Sequence, residues 1–225
     1  MIEIVAYFVL YSLITSGIYS KCTSTIPNDK RLEFTFRIIS LSIQVYIVSA
    51  VFIAKYIYPL DDTMHMLILT FPMLTYFIFD TLTMPIYYSF KASAPFLFHH
   101  IICICLGAYS LNASIEFGHS LYIVVILYES TGAAINLQWL LIRLKRTETW
   151  CYTINGWFIL IGYLSFRFGL YFTYLYYEYS KLQINEQYVT AAFVILIGIF
   201  NIMAYPQVVR FCLPAVLPLK TLRHI

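Results

Sequence analysis

Apolar residues fill seven runs of the chain, at 2–20, 38–58, 64–88, 96–111, 117–142, 156–179 and 188–213, separated by short polar segments. A helix needs about 20 mostly apolar residues to cross roughly 30 Å of hydrocarbon. The pattern therefore predicts an all-α, polytopic membrane bundle of seven transmembrane helices. The fourth run is the shortest; without it six crossings remain and the C-terminus changes sides. Only 21–37 and 143–155 exceed a few residues between runs, so no soluble domain is expected. The chain reads as one transmembrane domain over 1–225, with 214–225 a short polar tail. Its first run carries Glu3 and no basic residue ahead of the apolar stretch, unlike a secretory signal, and is expected to persist as a crossing.

Inside these runs the helical period gathers the polar residues into stripes. Tyr76, Asp80, Thr83 and Tyr87 share a face in the third run, with Pro85 predicting a kink beside Asp80 because it removes a hydrogen bond to the carbonyl of residue 81. Glu129, Gly132, Ala133, Asn136 and Leu140 share one in the fifth, where small residues allow close helix approach. Tyr163, Arg167, Tyr171 and Tyr174 line up in the sixth, and Asn201, Ala204, Tyr205 and Val208 in the seventh.

A charge at the centre of a membrane helix costs about 2.5–3.5 kcal/mol on insertion scales, so such groups turn inward and mark working sites. Asp80, His99, His100, Glu129 and Arg167 are accordingly expected around one cavity, with Tyr76, Asn136, Tyr171 and Asn201 on its walls. Asp80, Glu129 and Arg167 together leave one negative charge. Either a protonated His100 or a protonated carboxyl would remove it. An Arg167 ion pair with Glu129 or Asp80 that only fixes helix register is the plainer reading of the same residues. Neighbouring helix positions diverge by about 100°, so one of His99 and His100 is expected to face the cavity centre and the other the headgroups.

Composition narrows the class further. The chain is 61% hydrophobic, 19% aromatic and 11% charged, against about 45–50% apolar and 25% charged in soluble proteins. Its net charge of +3 matters less than where the charges fall. Lys21, Lys30, Arg31, Arg37, Lys91, Arg143, Lys145, Arg146, Arg210, Lys220 and Arg223 collect on one side of a seven-crossing bundle, against Lys55 and Lys181 on the other. The positive-inside rule then puts the N-terminus in the lumen and the C-terminus in the cytosol. No basic stripe with exposed aromatics supports nucleic-acid binding. The five cysteines are scattered and odd in number, so no disulfide framework is implied. His99, His100, Cys103 and Cys105 lie on one straight helix, which cannot surround a tetrahedral metal, and neither a metal nor a cofactor is expected.

Read as words, the segments "YFIFDTLTMPIYYSF", "FLFHHIICICLGAYSL", "YESTGAAINLQWLL", "FRFGLYF" and "FNIMAYP" resemble, in order, the TLC domain family over about 34–213. That family includes TRAM translocon-associated proteins, Lag-type ceramide synthases, CLN-type endoplasmic reticulum proteins and small TLC-domain proteins. The resemblance implies a bundle of six or more crossings around a lipid-handling cavity, in the endoplasmic reticulum or a related membrane. It matches Asp80 to the family's acidic residue before the histidine pair, His99 and His100 to that pair, and Arg167 and Asn201 to polar residues of the last helices. Glu129, Asn136 and Trp139 match a segment that reads like E-x-S-T-P-F-x-N-x-R-W in the small TLC-domain proteins. Here Gly132, Ala133 and Ala134 replace its Thr-Pro-Phe-like run, and Gln138 replaces its arginine.

The ceramide synthases follow their histidine pair with an H-D-x-x-D motif, where this chain has Tyr128-Glu129-Ser130-Thr131-Gly132. The expected function is therefore to bind or handle membrane lipid or fatty-acyl groups and so affect lipid homeostasis. The alternative is an acyl-coenzyme A-dependent N-acyltransferase of ceramide synthase type, with His99 and His100 catalytic and acyl-coenzyme A as co-substrate. Whether the chain is an enzyme stays open on these residues. A homodimer or a membrane-protein client are the protein partners that the family brings to mind.

Overall fold

The computed structural model describes residues 2–21, 28–56, 66–87, 90–170, 172–173, 176 and 179–217. Among them are seven helices and no strand: α1 Ile2–Lys21, α2 Asn28–Tyr56, α3 Phe71–Tyr87, α4 Phe90–Ser110, α5 Ile115–Arg143, α6 Trp150–Leu164 and α7 Ile184–Val216. A wide π turn, Met66–Thr70, leads into α3, and another, Ser165–Leu170, extends α6. Four helical stretches, Ile2–Lys21, Lys30–Ile53, Ile68–Ile86 and Ile184–Val216, are by themselves long and apolar enough to cross a membrane. The architecture is a polytopic membrane bundle.

Two boundaries differ from those that hydropathy draws. α4 starts at Phe90, ahead of the apolar run at 96, and its 21 residues reach about 31 Å at 1.5 Å each, as long as a crossing requires. Lys91 and Pro95 end the apolar run without ending the helix. α2 starts at Asn28, ten residues ahead of its run, so the charged stretch around Arg37 is helical and belongs to the bundle. α3 continues through Pro85 to Tyr87.

The bundle is inverted relative to a soluble protein. Leu13, Ile195, Ile202 and Met203 are more than 60% exposed, whereas Thr35, Gln138 and Asn201 are completely buried. Apolar side chains lose nothing by facing lipid, and polar ones avoid it only by turning inward. Ile39, Ile43, Ile47 and Val51 recur every four residues on α2 and form one buried ridge against α1 and α3. Thr75, Thr81 and Thr83 donate to the carbonyls four residues earlier on α3, which satisfies their hydroxyls without water.

α2 packs most extensively on α5. At the opposite end of the bundle a single carboxylate joins two helix starts. Ser114 caps α5 by accepting from the Phe117 N–H, and Glu186, 1% exposed, accepts from the Ser114 N–H at 2.7 Å and its hydroxyl at 2.9 Å. The same carboxylate accepts from the Gln183 N–H at 3.0 Å and completes a capping box on α7. α5 and α7 therefore begin at one end, and α6 returns between them, as alternating crossings require.

Candidate functional site

Six of the helices and the second π turn surround a cavity of about 120 Å³ at the centre of the bundle. α2 lends it Arg37, Ser40 and Gln44, and α3 lends Tyr76, Phe77 and Asp80. His99 and His100 enter from α4, Glu129, Gly132 and Asn136 from α5, Arg167 from the π turn, and Phe200 from α7; Tyr163, on α6, closes the wall. The volume suits the polar end of a ligand or a few waters, well below the roughly 300–1,000 Å³ of pockets that enclose a drug-sized molecule.

Arg167 is held by geometry more than by countercharge. Its Nε donates to the Thr131 hydroxyl at 2.8 Å, one terminal nitrogen donates to the Tyr128 carbonyl at 3.1 Å, and the other lies 3.5 Å from Asn201 Oδ1. Its guanidinium also stacks between the rings of Tyr128 and Tyr163, 4.6 and 4.7 Å from their centroids. Among the described residues no carboxylate forms an ion pair with it, so the register-fixing pair with Glu129 or Asp80 is not the arrangement found. The π turn matters here because its wider ring of backbone hydrogen bonds re-aims a side chain within an otherwise regular helix, and such turns recur at working sites.

Asp80 instead approaches His100, with Oδ2 3.6 Å from Nε2. The imidazole is 6% exposed, and among the described residues its Nδ1 has no hydrogen-bond partner. His99 differs from its neighbour. Its ring stacks on Phe200 at 4.8 Å and 17°, meets Phe77 edge-on at 6.1 Å, and lies over the Cys103 sulfur at 3.7–3.8 Å. Both histidines line the cavity and both are buried, so neither reaches the headgroups as their 100° divergence suggests. The cavity is broad enough to be touched by two adjacent positions.

Glu129 and Asn136 meet α2. Gln44 stands beside Glu129 on the cavity wall, and its Oε1 accepts from Asn136 Nδ2 at 2.8 Å. Arg37 donates to Asn136 Oδ1 at 2.7 Å. Gly132 makes room for this: a Cβ there would stand 2.7 Å from Gln44 Nε2. Asn201 does not line the cavity but braces it, donating to the Tyr128 phenol oxygen and, at 3.4 Å, to the Arg167 carbonyl. Tyr76 lines the wall beside His100, their ring centroids 6.4 Å apart. Tyr171 lies outside the described residues.

Sequence reasoning left Arg37, Ser40 and Gln44 out of the site. Their signal was present, since positions 37, 40 and 44 follow the i, i+3, i+7 spacing of a helix face. Arg37 supplies the positive charge that Asp80, Glu129 and Arg167 lack. With it the cavity wall carries two acidic and two basic side chains besides its histidines. Gln138, where the small TLC-domain segment has arginine, is fully buried and accepts from Asn155 Nδ2 of α6 at 2.8 Å. The arrangement offers two carboxyl groups, two imidazoles and two fixed guanidiniums. Among the described residues no group of three histidine, cysteine or acidic side chains is placed to hold a metal ion.

The TLC domain pattern fits residues 3–212. The chain belongs to the TLC domain family. This match begins well before residue 34, so α1 is part of the TLC domain although it adds nothing to the polar cavity. The protein "TLC domain-containing protein 4 A" of Dictyostelium discoideum is 28% identical over 92 residues, which are 41% of this chain and 36% of that protein. The chain thus covers about a third of that TLC relative's length. No solved structure matches.

Proposed function

We propose that this TLC protein binds a membrane lipid or fatty-acyl group with its polar end in the central cavity, and through that affects membrane lipid composition. One observation carries the reading: Asp80, His99, His100, Glu129 and Arg167, each costly in hydrocarbon, come from three helices and a π turn to line one buried space. A bundle that needed only internal glue would satisfy these groups against one another. Here they leave a cavity between them, and an apolar annex of about 40 Å³ adjoins it past His99, lined by Cys103, Leu106, Val124 and Ile197. The order of polar cavity and apolar annex matches the two ends of an amphiphile.

By the same reading the protein resides in the endoplasmic reticulum, with the ends that carry Arg37 and Arg143 in the cytosol. Mass spectrometry of lipid retained after extraction in a mild detergent tests the proposal. The expected result is a stoichiometric acyl-bearing lipid in wild type that Arg167→Leu loses. Wild-type protein that is folded and free of lipid would sink it.

The position of both histidines on the cavity wall favours a second reading, N-acyl transfer from acyl-coenzyme A. An imidazole would then serve as base or acyl acceptor, with Glu129 managing the proton of the incoming amine. Incubation with acyl-coenzyme A and a sphingoid base, comparing wild type with His99→Ala plus His100→Ala, decides it. Equal product from the two removes catalysis.

A further inference from the structure

The geometry points to a lipid hydroxyl as the group that the cavity recognises, with His100 Nδ1 as its acceptor. This inference rests on the lipid-binding reading and names the chemistry of the bound head. Three observations lead to it, beginning with an orphan. Nδ1 of His100 is buried and lacks any hydrogen-bond partner among the described residues, in a ring that lines the cavity. A buried polar atom left unsatisfied costs about 1–3 kcal/mol, so such an atom in a ring on a cavity wall marks the place of an absent partner.

The second observation decides what that partner must bring. Asp80 Oδ2 stands 3.6 Å from the other ring nitrogen, Nε2. A carboxylate there repels a lone pair and attracts an N–H, so the neutral ring carries its proton on Nε2 and leaves a lone pair on Nδ1. The ligand has to supply a hydrogen. Esters, ethers and ketones, which only accept, leave Nδ1 unsatisfied.

The third observation separates hydroxyl from ammonium. Arg37 and Arg167 already bring two guanidinium cations to the cavity wall, and a charged ammonium would add a third positive group beside them. A neutral hydroxyl adds none. His99 cannot take the role, because Phe200 stacks on its face at 4.8 Å and Phe77 meets its ring at 6.1 Å, which turns it to packing. Beyond it the apolar annex receives the first carbons of the chain that carries the hydroxyl.

Binding of matched single-chain probes to purified, lipid-stripped protein tests this: octadecanol, its methyl ether, and octadecylamine. The alcohol is expected to bind about tenfold or more tightly than the ether, the size that follows when a buried acceptor loses its partner. His100→Phe, which keeps a ring and removes Nδ1, should bring alcohol and ether to equal affinity. Nitrogen-15 spectra of histidine-labelled wild type give a readout free of mutation: the His100 Nδ1 signal should lie in the unprotonated range and move on adding alcohol, not ether. Equal binding of alcohol and ether to wild type, a protonated Nδ1, or tighter binding of the amine each overturns the assignment. If natural lipids are retained without preference for hydroxyl, this inference falls alone. If no chain is held at all, the lipid-binding reading falls with it.

Discussion

Arg37 donates to Asn136 at 2.7 Å, tying the first turns of α2 to the last turns of α5 across 99 residues of sequence. Its guanidinium also lies 5.5 Å from the Trp139 ring centroid, with that of Arg143 5.0 Å away on the same indole. A cation that sequence assigns to the membrane flank thus becomes a strut of the site. Arg37→Leu should lower stability by about 2 kcal/mol, the scale of a lost charge-assisted hydrogen bond. That is a fall of roughly 4–8 °C in apparent Tm for a chain of this size. Thermal unfolding in detergent, followed by intrinsic fluorescence, measures it; an unchanged Tm would show that Asn136 finds another partner at no cost.

Gly132 is a test of close approach. Because a Cβ would fall 2.7 Å from Gln44 Nε2, Gly132→Ala has to displace Gln44 from its place beside Asn136 and should destabilise by about 1–3 kcal/mol. Gln44→Ala removes the obstacle. The two substitutions are therefore expected to be less harmful together than the sum of each alone, by at least about 0.5 kcal/mol in a double-mutant cycle. Strict additivity would place the crowding elsewhere.

Arg167 should not tolerate lysine. A planar guanidinium is needed to lie between Tyr128 and Tyr163 while reaching Thr131 and the Tyr128 carbonyl, and an ammonium on a flexible stem cannot do both. Arg167→Lys is expected to keep the charge yet lose most of the retained lipid, with stability down by about 2–4 kcal/mol. Lipid content per folded protein after gel filtration reads the first effect, and Tm the second. Full lipid retention by the lysine variant would show that charge alone suffices.

Glu186 gives a prediction at the other end of the bundle. Glu186→Ala removes the acceptor for Ser114 and Gln183 together, loosening the caps of two helix starts at a cost of about 1–2 kcal/mol. Amide hydrogen exchange should quicken at Ser114, Phe117 and Gln183 while the middle of α5 is unaffected. Faster exchange throughout the bundle would instead mean that this carboxylate supports global stability.

Much of the fold is legible in hydropathy because lipid and a helical backbone leave few alternatives: a run of about 20 apolar residues has to close its own hydrogen bonds. The starts of α2 and α4 were not legible, since a charged residue ends a hydropathy window without ending a helix. Arg37 shows the consequence for the site. Counted as a cytosolic flank, it is removed from the cavity, although its spacing to Ser40 and Gln44 is that of one helix face. The stripes on α3 and α5 drew notice because single polar residues stand out in apolar surroundings. The division of labour between His99 and His100 has no such signal. It arises from Phe77, Asp80 and Phe200 on other helices, and no periodicity within α4 encodes what those helices bring.

The shared capping carboxylate has a mechanical consequence. With their first turns fastened to the same side chain, α5 and α7 behave as two blades on one rivet, and any displacement between them grows with distance from it. The cavity-lining residues of both, Glu129 and Asn136 on α5 and Phe200 on α7, lie well along from that joint, where its hold is weakest.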